Sequence, residues 1–125
     1  MVAIFLDRLL AARECLINGD GLQTRDYTFV ADVVAANLAA LGRPGFHVYN
    51  VGTGIETDVV RLYRQIADAL GIERPAVHGP AKGGEQRRSV IAAGRLEHEL
   101  GVRVATPLAD GIAATAAWFA ARAGR

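Results

Sequence analysis

The run GDGLQTRDY, residues Gly19–Tyr27, is the stretch of this sequence that decides how the chain folds. Two glycines around Asp20 predict a tight turn, since glycine adopts backbone conformations that other residues avoid. The turn leads to Arg25, whose planar guanidinium suits an anionic group with two oxygens. The run therefore predicts an anion-binding turn, followed by a strand and then, from VADVV at Val30–Val34, by an apolar helix.

Apolar periodicity extends this pattern to both ends of the chain and predicts an α/β fold, a small mixed domain spanning residues 1–125. The apolar helix is expected to be capped by Asp32 or by the residues just before it. The predicted helices are Val2–Ala12, Ala31–Leu41, a helix capped by Thr57 that ends at Leu70, about Gly94–Leu100, and about Leu108–Ala123 before Gly124. The predicted strands are Leu16–Asn18, Asp26–Val30, Phe46–Val51 and Ala76–His78.

The predicted helix Ala31–Leu41 carries only Asp32 and Asn37 as polar residues, so it is apolar on nearly all of its faces. Such a helix is normally buried on more than one side. A chain of 125 residues can hardly surround it unaided. We therefore expect a partner layer, for example a second copy in a homo-oligomer.

Composition excludes several classes of protein. A formal net charge of +1 gives no electrostatic case for binding nucleic acid or an anionic membrane surface. Cys15 is the only cysteine, which rules out an internal disulfide and a thiolate metal cluster. Asp7 and Arg8 interrupt the short apolar start, so no signal peptide is predicted, and no stretch approaches the length of a membrane span. These observations predict a cytoplasmic protein.

The sequence offers little for catalysis. Gly52-Thr53-Gly54 lacks the third glycine of a dinucleotide fingerprint and has Thr57 in its place, so it indicates an ordinary turn. The three histidines lie on separate predicted elements without metal-ligand spacing, so no metal site is predicted. Ser89 lacks the flanking sequence of a nucleophile elbow, which leaves an independent hydrolase as a remote hypothesis.

The Gly19–Tyr27 run resembles a signature of the substrate-binding domain of NAD-dependent sugar-nucleotide epimerases and dehydratases, the extended short-chain dehydrogenases. Other landmarks of that family occur in the same order. The loop Pro80–Ser89 is similar to its Arg-Pro-Gly-Glu/Asp-x-Arg-x-Ser pattern, and Glu99-Leu100-Gly101 is similar to its Glu-Leu-Gly-Trp landmark. The resemblance covers essentially the whole chain, and it implies that the fold is the substrate-binding lobe of such an enzyme.

The resemblance also implies which residues bind a ligand. Arg25 would hold the diphosphate of a UDP- or dTDP-sugar, and Lys82 would contact it from the opposite side. Glu85 would face the ribose hydroxyls, and the strand Leu16-Ile17-Asn18 would contact the uracil. Lys82 stands where the family has arginine. A lysine keeps the charge without the two-pronged grip, so we expect weak binding.

In that family NAD removes a hydride from C4 of the sugar, and catalysis uses a Tyr with a Lys four residues later. None of Tyr27, Tyr49 and Tyr63 is followed by Lys at that spacing. The resemblance therefore implies a binding portion without catalytic residues or a cofactor of its own, the NAD site lying on the other half of a truncated or split enzyme or on a separate Rossmann-domain chain. The alternative hypothesis is a non-enzymatic remnant that self-associates through its apolar helix.

Overall fold

The computed structural model describes residues 1–123, in which helices alternate with short strands. The helices are α1 (Val2–Leu10), α2 (Val30–Ala40), α3 (Val59–Leu70), α4 (Gly94–Leu100) and α5 (Leu108–Ala123). The strands are β1 (Leu16–Asn18), β2 (Thr24–Arg25), β3 (Thr57–Asp58) and β4 (Val77–Gly79). The predicted α/β class is confirmed, and β1 has the predicted bounds. Gly124, predicted to follow the last helix, lies outside the described residues.

The strands form two pairs that join distant segments of the chain. β1 runs parallel to β4, with Ile17 opposite His78. β2 runs antiparallel to β3, with Arg25 opposite Thr57. Together the pairs bring the end of β1, Arg25 and the loop that follows β4 to one region of the molecule.

The core lies where α1, α3 and α5 pack together and against β1. Along α3, Val59, Leu62, Tyr63 and Ile66 recur at the spacing of one helix face, and all four are buried. The ring of Phe5 in α1 meets Tyr63 edge to face, with ring centroids 5.3 Å apart. This packing holds β1 in place, and the loops of the site extend from β1 and its partner strand.

The prediction that Thr57 caps α3 was wrong by one residue. The Asp58 carboxylate accepts a 2.7 Å hydrogen bond from the Arg61 amide, so Asp58 is the N-cap. Thr57 is buried in β3 instead. Both residues pair in β3, and they differ in burial: Thr57 is buried, whereas the carboxylate of the half-buried Asp58 reaches the first turn of the helix.

The prediction of a strand over Asp26–Val30 was also wrong. Pairing occurs earlier, in β2, and Val30 already begins α2. The reason is the Asp26 carboxylate, which accepts hydrogen bonds from the Thr53 amide at 3.0 Å and the Gly54 amide at 2.9 Å. These bonds tie the segment to the Thr53–Gly54 turn in place of a strand partner.

The segment Phe46–Val51 forms no strand within the described residues, which corrects a further prediction. Contacts with α4 replace a strand partner. The Tyr49 hydroxyl donates to the Glu99 carboxylate at 2.8 Å, and Arg95 donates to the Val48 carbonyl at 3.1 Å. Phe46 is 91% exposed. The alternation of apolar residues in this segment is typical of a strand, but within the described residues no neighbouring strand pairs with it.

Helix α2 is largely uncovered by the described residues. Of its side chains only Ala36 is buried, whereas Val30, Val34 and Leu38 are exposed and Leu41, just beyond the helix, is 74% exposed. Asp32 is not its cap, because the helix begins after Phe29 and the Asp32 carboxylate accepts from the Thr106 amide at 3.3 Å. The expectation that this helix exceeds what the chain can cover is therefore met within residues 1–123.

Candidate functional site

The Gly19–Gly21 turn places the end of β1 beside the loop that follows β4. Both glycines have positive φ, 62° and 73°, and the Asp20 carboxylate accepts a 2.9 Å hydrogen bond from the Leu22 amide. A Cβ on Gly21 would lie 2.6 Å from Val60, so no other residue fits there without rearrangement. The turn predicted from the sequence is thus present and tightly packed.

Arg87 holds the turn from the opposite side. Its guanidinium donates to both oxygens of Asp20, at 2.8 and 2.7 Å. This hydrogen bonding lowers the pKa of Asp20 to about 2. A backbone hydrogen bond adds to this contact, because the Thr24 amide donates to the Arg87 carbonyl at 2.9 Å. The contact joins the two sequence runs that the family resemblance singles out.

These contacts enclose a cleft of about 220 Å³. Three of the predicted ligand residues, Asn18, Lys82 and Glu85, lie in its wall. The Glu85 amide donates to the Lys82 carbonyl at 3.3 Å, so these two residues lie at the ends of one tight turn. The structure therefore brings together residues that lie more than sixty positions apart in the chain.

Arg25 lies at the border of this cleft. Its Nη1 donates to the carbonyls of Thr24 and Gln86, both at 2.7 Å. Its Nη2 lies 3.8 Å from the Glu85 carboxylate. The Arg25 side chain is 28% exposed. One side of the guanidinium is thus fixed by backbone carbonyls, and the Nη2 side faces the Glu85 carboxylate beyond hydrogen-bond distance.

Leu16 and Ile17, the other two predicted ligand residues in β1, have different surroundings. Parallel strands bond through alternate residues. The Val77 amide of β4 donates to the Cys15 carbonyl at 2.8 Å, and the Gly19 amide donates to the Gly79 carbonyl of β4 at 3.0 Å. The peptide groups of Leu16 and Asn18 therefore face the other edge of β1, while the Ile17 side chain is buried in the core.

Sequence reasoning gave no role to three residues of the cleft wall: Asp20, Gln23 and Arg87. Gln23 is 4% exposed, and its Nε2 donates to the Asn18 carbonyl at 3.3 Å. No local pattern marks Gln23 as buried, because the exposure of the neighbouring Leu22 is visible only in the structure. The Asp20–Arg87 pair was not predictable, because no local pattern links residues so far apart.

The Gly52–Gly54 turn does not fit the phosphates of NAD. A dinucleotide site needs free backbone amides at the end of a strand to receive phosphate. The amides of Thr53 and Gly54 already donate to the Asp26 carboxylate, and within residues 1–123 no strand ends directly before this turn. The turn is a structural junction, as its missing third glycine indicates.

The tyrosines have structural surroundings. The Tyr63 hydroxyl donates to the Arg74 carbonyl at 2.7 Å, and burial raises the pKa of Tyr63. Burial raises the pKa of Tyr27 as well. A tyrosine that acts as a base near neutral pH needs the opposite shift. Residues 1–123 contain neither a cluster of metal-ligating side chains nor a helix of the length and apolarity that a bilayer requires.

Comparison with known proteins gives consistent matches. Residues 1–52 match the family described as the NAD dependent epimerase/dehydratase family. The chain is 45% identical to a UDP-glucose 4-epimerase of Mycolicibacterium smegmatis over 95% of its own length and 38% of that protein. It is 33% identical to a dTDP-glucose 4,6-dehydratase of Streptomyces griseus, over 95% of this chain and 37% of that protein.

A solved structure agrees with these matches. The crystal structure of a UDP-glucose 4-epimerase with UDP-glucose from Thermotoga maritima superposes with a TM-score of 0.91 at 35% identity. The match covers 97% of this chain and 39% of that one. The chain thus spans less than half the length of the relatives that it matches.

Proposed function

Since this chain belongs to the NAD-dependent epimerase/dehydratase family, we propose that it is the nucleotide-sugar-binding portion of a UDP-hexose-acting epimerase or dehydratase and has no turnover by itself. The observation that carries the proposal is the cleft, where Asn18, Lys82 and Glu85 converge next to Arg25. Its binding partner is a UDP- or dTDP-sugar, and the relatives of both nucleotide classes support this range.

The open edge of β1 supplies the base contacts. At that edge Leu16 presents its carbonyl and Asn18 presents its amide, two residues apart along the strand. A pyrimidine ring with an N–H beside a carbonyl offers the complementary pair, as an added strand would. Ile17 anchors the strand in the core and keeps the two peptides in register.

The diphosphate lies between two cations. Arg25 presents the Nη2 side of a guanidinium whose other side is fixed by two carbonyls. Lys82 adds an ammonium from the cleft wall. A preoriented guanidinium loses less conformational freedom on binding than a lysine on a glycine-rich loop. Arg25 is therefore the principal phosphate ligand, and Glu85 accepts hydrogen bonds from the ribose hydroxyls.

Calorimetric titration of the purified chain with UDP and with UDP-glucose tests the proposal. We expect weak binding of both, no tight binding of NAD, and no interconversion of UDP-sugars. Arg103→Ala is the matched control, because Arg103 is an exposed arginine whose only ion pair among the described residues is a 3.8 Å contact with Glu97. Absence of UDP binding, or turnover by a preparation free of host enzyme, contradicts the proposal.

Self-association is the second candidate, supported by the exposed stripe Val30, Val34, Leu38 and Leu41. An uncovered apolar face of this kind on a soluble protein tends to be buried by another surface. A homo-oligomer with a symmetric contact between two copies of α2 covers the stripe, as would a separate Rossmann-domain chain. Light scattering of the chain alone distinguishes the two: the first gives a dimer, the second a monomer until the partner is added.

A further inference from the structure

Arg25 and Glu85 form an ion pair whose two partners are held very differently. The Arg25 guanidinium is fixed through Nη1 by the carbonyls of Thr24 and Gln86. Glu85 lies on a loop next to Gly83 and Gly84, where an added Cβ would meet no atom within 4 Å. The Glu85 carboxylate accepts no hydrogen bond from residues 1–123, so of the two side chains it is the one that can rotate away without breaking a hydrogen bond.

The contact itself is electrostatic and not a hydrogen bond. The Arg25 Nη2 and the Glu85 Oε1 are 3.8 Å apart, beyond hydrogen-bond distance. Both side chains are mostly shielded from solvent, at 28% and 21% exposure. The attraction is thus only partly screened, yet no hydrogen bond has to break when the carboxylate leaves.

Resting on the proposed nucleotide site, we propose that Glu85 is an internal counter-anion of Arg25, which makes the site select nucleoside diphosphates against small polyanions. A free phosphate or pyrophosphate must displace or repel the carboxylate and offers it nothing in return. A nucleoside diphosphate brings a ribose diol, whose hydroxyls can donate to the displaced carboxylate. The same residue therefore opposes one class of ligand and favours the other.

The charge-removing variant Glu85→Gln tests this inference with inorganic pyrophosphate and UDP as probes. We expect Glu85→Gln to bind pyrophosphate roughly two- to fivefold more tightly, the scale of one partly exposed ion pair. UDP affinity should fall, so the preference for UDP decreases by about tenfold. Glu97→Gln, which removes an exposed carboxylate on α4, should change neither affinity.

A double-variant cycle shows whether the effect passes through Arg25. In the Arg25→Gln background, Glu85→Gln should no longer tighten pyrophosphate binding. Glu85→Ala, which removes the whole carboxylate group, should act on pyrophosphate binding in the same direction as Glu85→Gln.

Unchanged or weaker pyrophosphate binding in both Glu85 variants overturns the inference, as does tightening that persists without Arg25. The pyrophosphate titrations decide the counter-anion role, and a gain in UDP affinity equal to the gain in pyrophosphate affinity overturns the selectivity for nucleoside diphosphates. Failure of the unmodified chain to bind UDP counts against the nucleotide site alone.

Discussion

The Asp26 carboxylate accepts hydrogen bonds from both the hydroxyl of Thr53, at 2.6 Å, and its amide, at 3.0 Å. The amides of Gly54 and Ile91 donate to the same carboxylate, at 2.9 and 3.2 Å. Partial burial alone would raise the pKa of Asp26, but these hydrogen bonds outweigh it and lower the pKa. One side chain thus joins the segment after Arg25 to two other loops.

Replacing this carboxylate should destabilise the fold. In Asp26→Ala the donors at Thr53, Gly54 and Ile91 lose their acceptor, and we expect a loss of about 2–3 kcal/mol in the free energy of unfolding. Urea denaturation measures it. Asp68→Ala, an exposed aspartate of α3, is the control and should be nearly neutral. Equal stabilities for both variants would show that the junction contributes little.

Acid should weaken the contact between α4 and the segment before it. The hydrogen bond from Arg95, together with that from Tyr49, lowers the pKa of Glu99 from 4.5 to about 2. A lowered pKa in the folded state means that the stabilisation is complete above pH 4.5 and is lost as the pH falls toward 2. In Glu99→Gln, the free energy of unfolding should therefore depend less on pH in this window.

Glu73→Gln is the comparison for that titration, since Glu73 is exposed and makes no ion pair with residues 1–123. Its profile of stability against pH should follow that of the unmodified chain. Identical profiles for Glu99→Gln and the unmodified chain would argue against a stabilising role of the Glu99 cluster.

UDP affinity should depend on Arg25 more than on Lys82. Arg25→Ala should cost about 1.5–3 kcal/mol of binding free energy, the scale of a charged hydrogen bond. Arg25 also fixes the Gln86 carbonyl, so its loss loosens the loop that carries Lys82 and Glu85. Lys82→Ala should cost less. Calorimetry in which Lys82→Ala is the more damaging variant would contradict this ranking, and equal UDP affinity in Arg25→Ala would refute the assignment of the site.

A charge on the exposed face of α2 should oppose self-association. Val34 is 49% exposed in the middle of the apolar stripe. Val34→Glu should weaken the dimer by roughly tenfold or more, because burying an unpaired carboxylate is costly. Ala39→Glu introduces the same charge at an exposed position on another face of the helix and should leave the dimer intact. Sedimentation equilibrium compares them, and a monomeric unmodified chain would remove the basis of this hypothesis.

Local chemistry made part of this fold predictable. The glycines at 19 and 21 need positive φ, and the spacing of apolar residues along α3 identifies its buried face. The two strand predictions failed for one shared reason. In each segment a side chain, Asp26 in one and Tyr49 in the other, forms hydrogen bonds with a distant partner where a strand would pair, and sequence alone gives no sign of those partners.

The candidate site also has features that the sequence predicts and features that it does not predict. The family resemblance identifies Arg25 and Lys82 as residues for the diphosphate and Glu85 as a residue for the ribose. Their arrangement is not predicted, because Arg25 reaches the loop through the Gln86 carbonyl and Arg87 closes the cleft through Asp20. Neither bond follows from the local pattern around either residue.

The bond between Asp20 and Arg87 spans 67 positions of the chain. Closing a segment of that length costs chain entropy, which the contact offsets only while the rest of the fold holds both segments in place. A protease cut in the exposed stretch around Phe46 would leave the glycine turn on one fragment and Lys82 on the other. Recovery of UDP binding on mixing two such fragments would therefore report their reassembly.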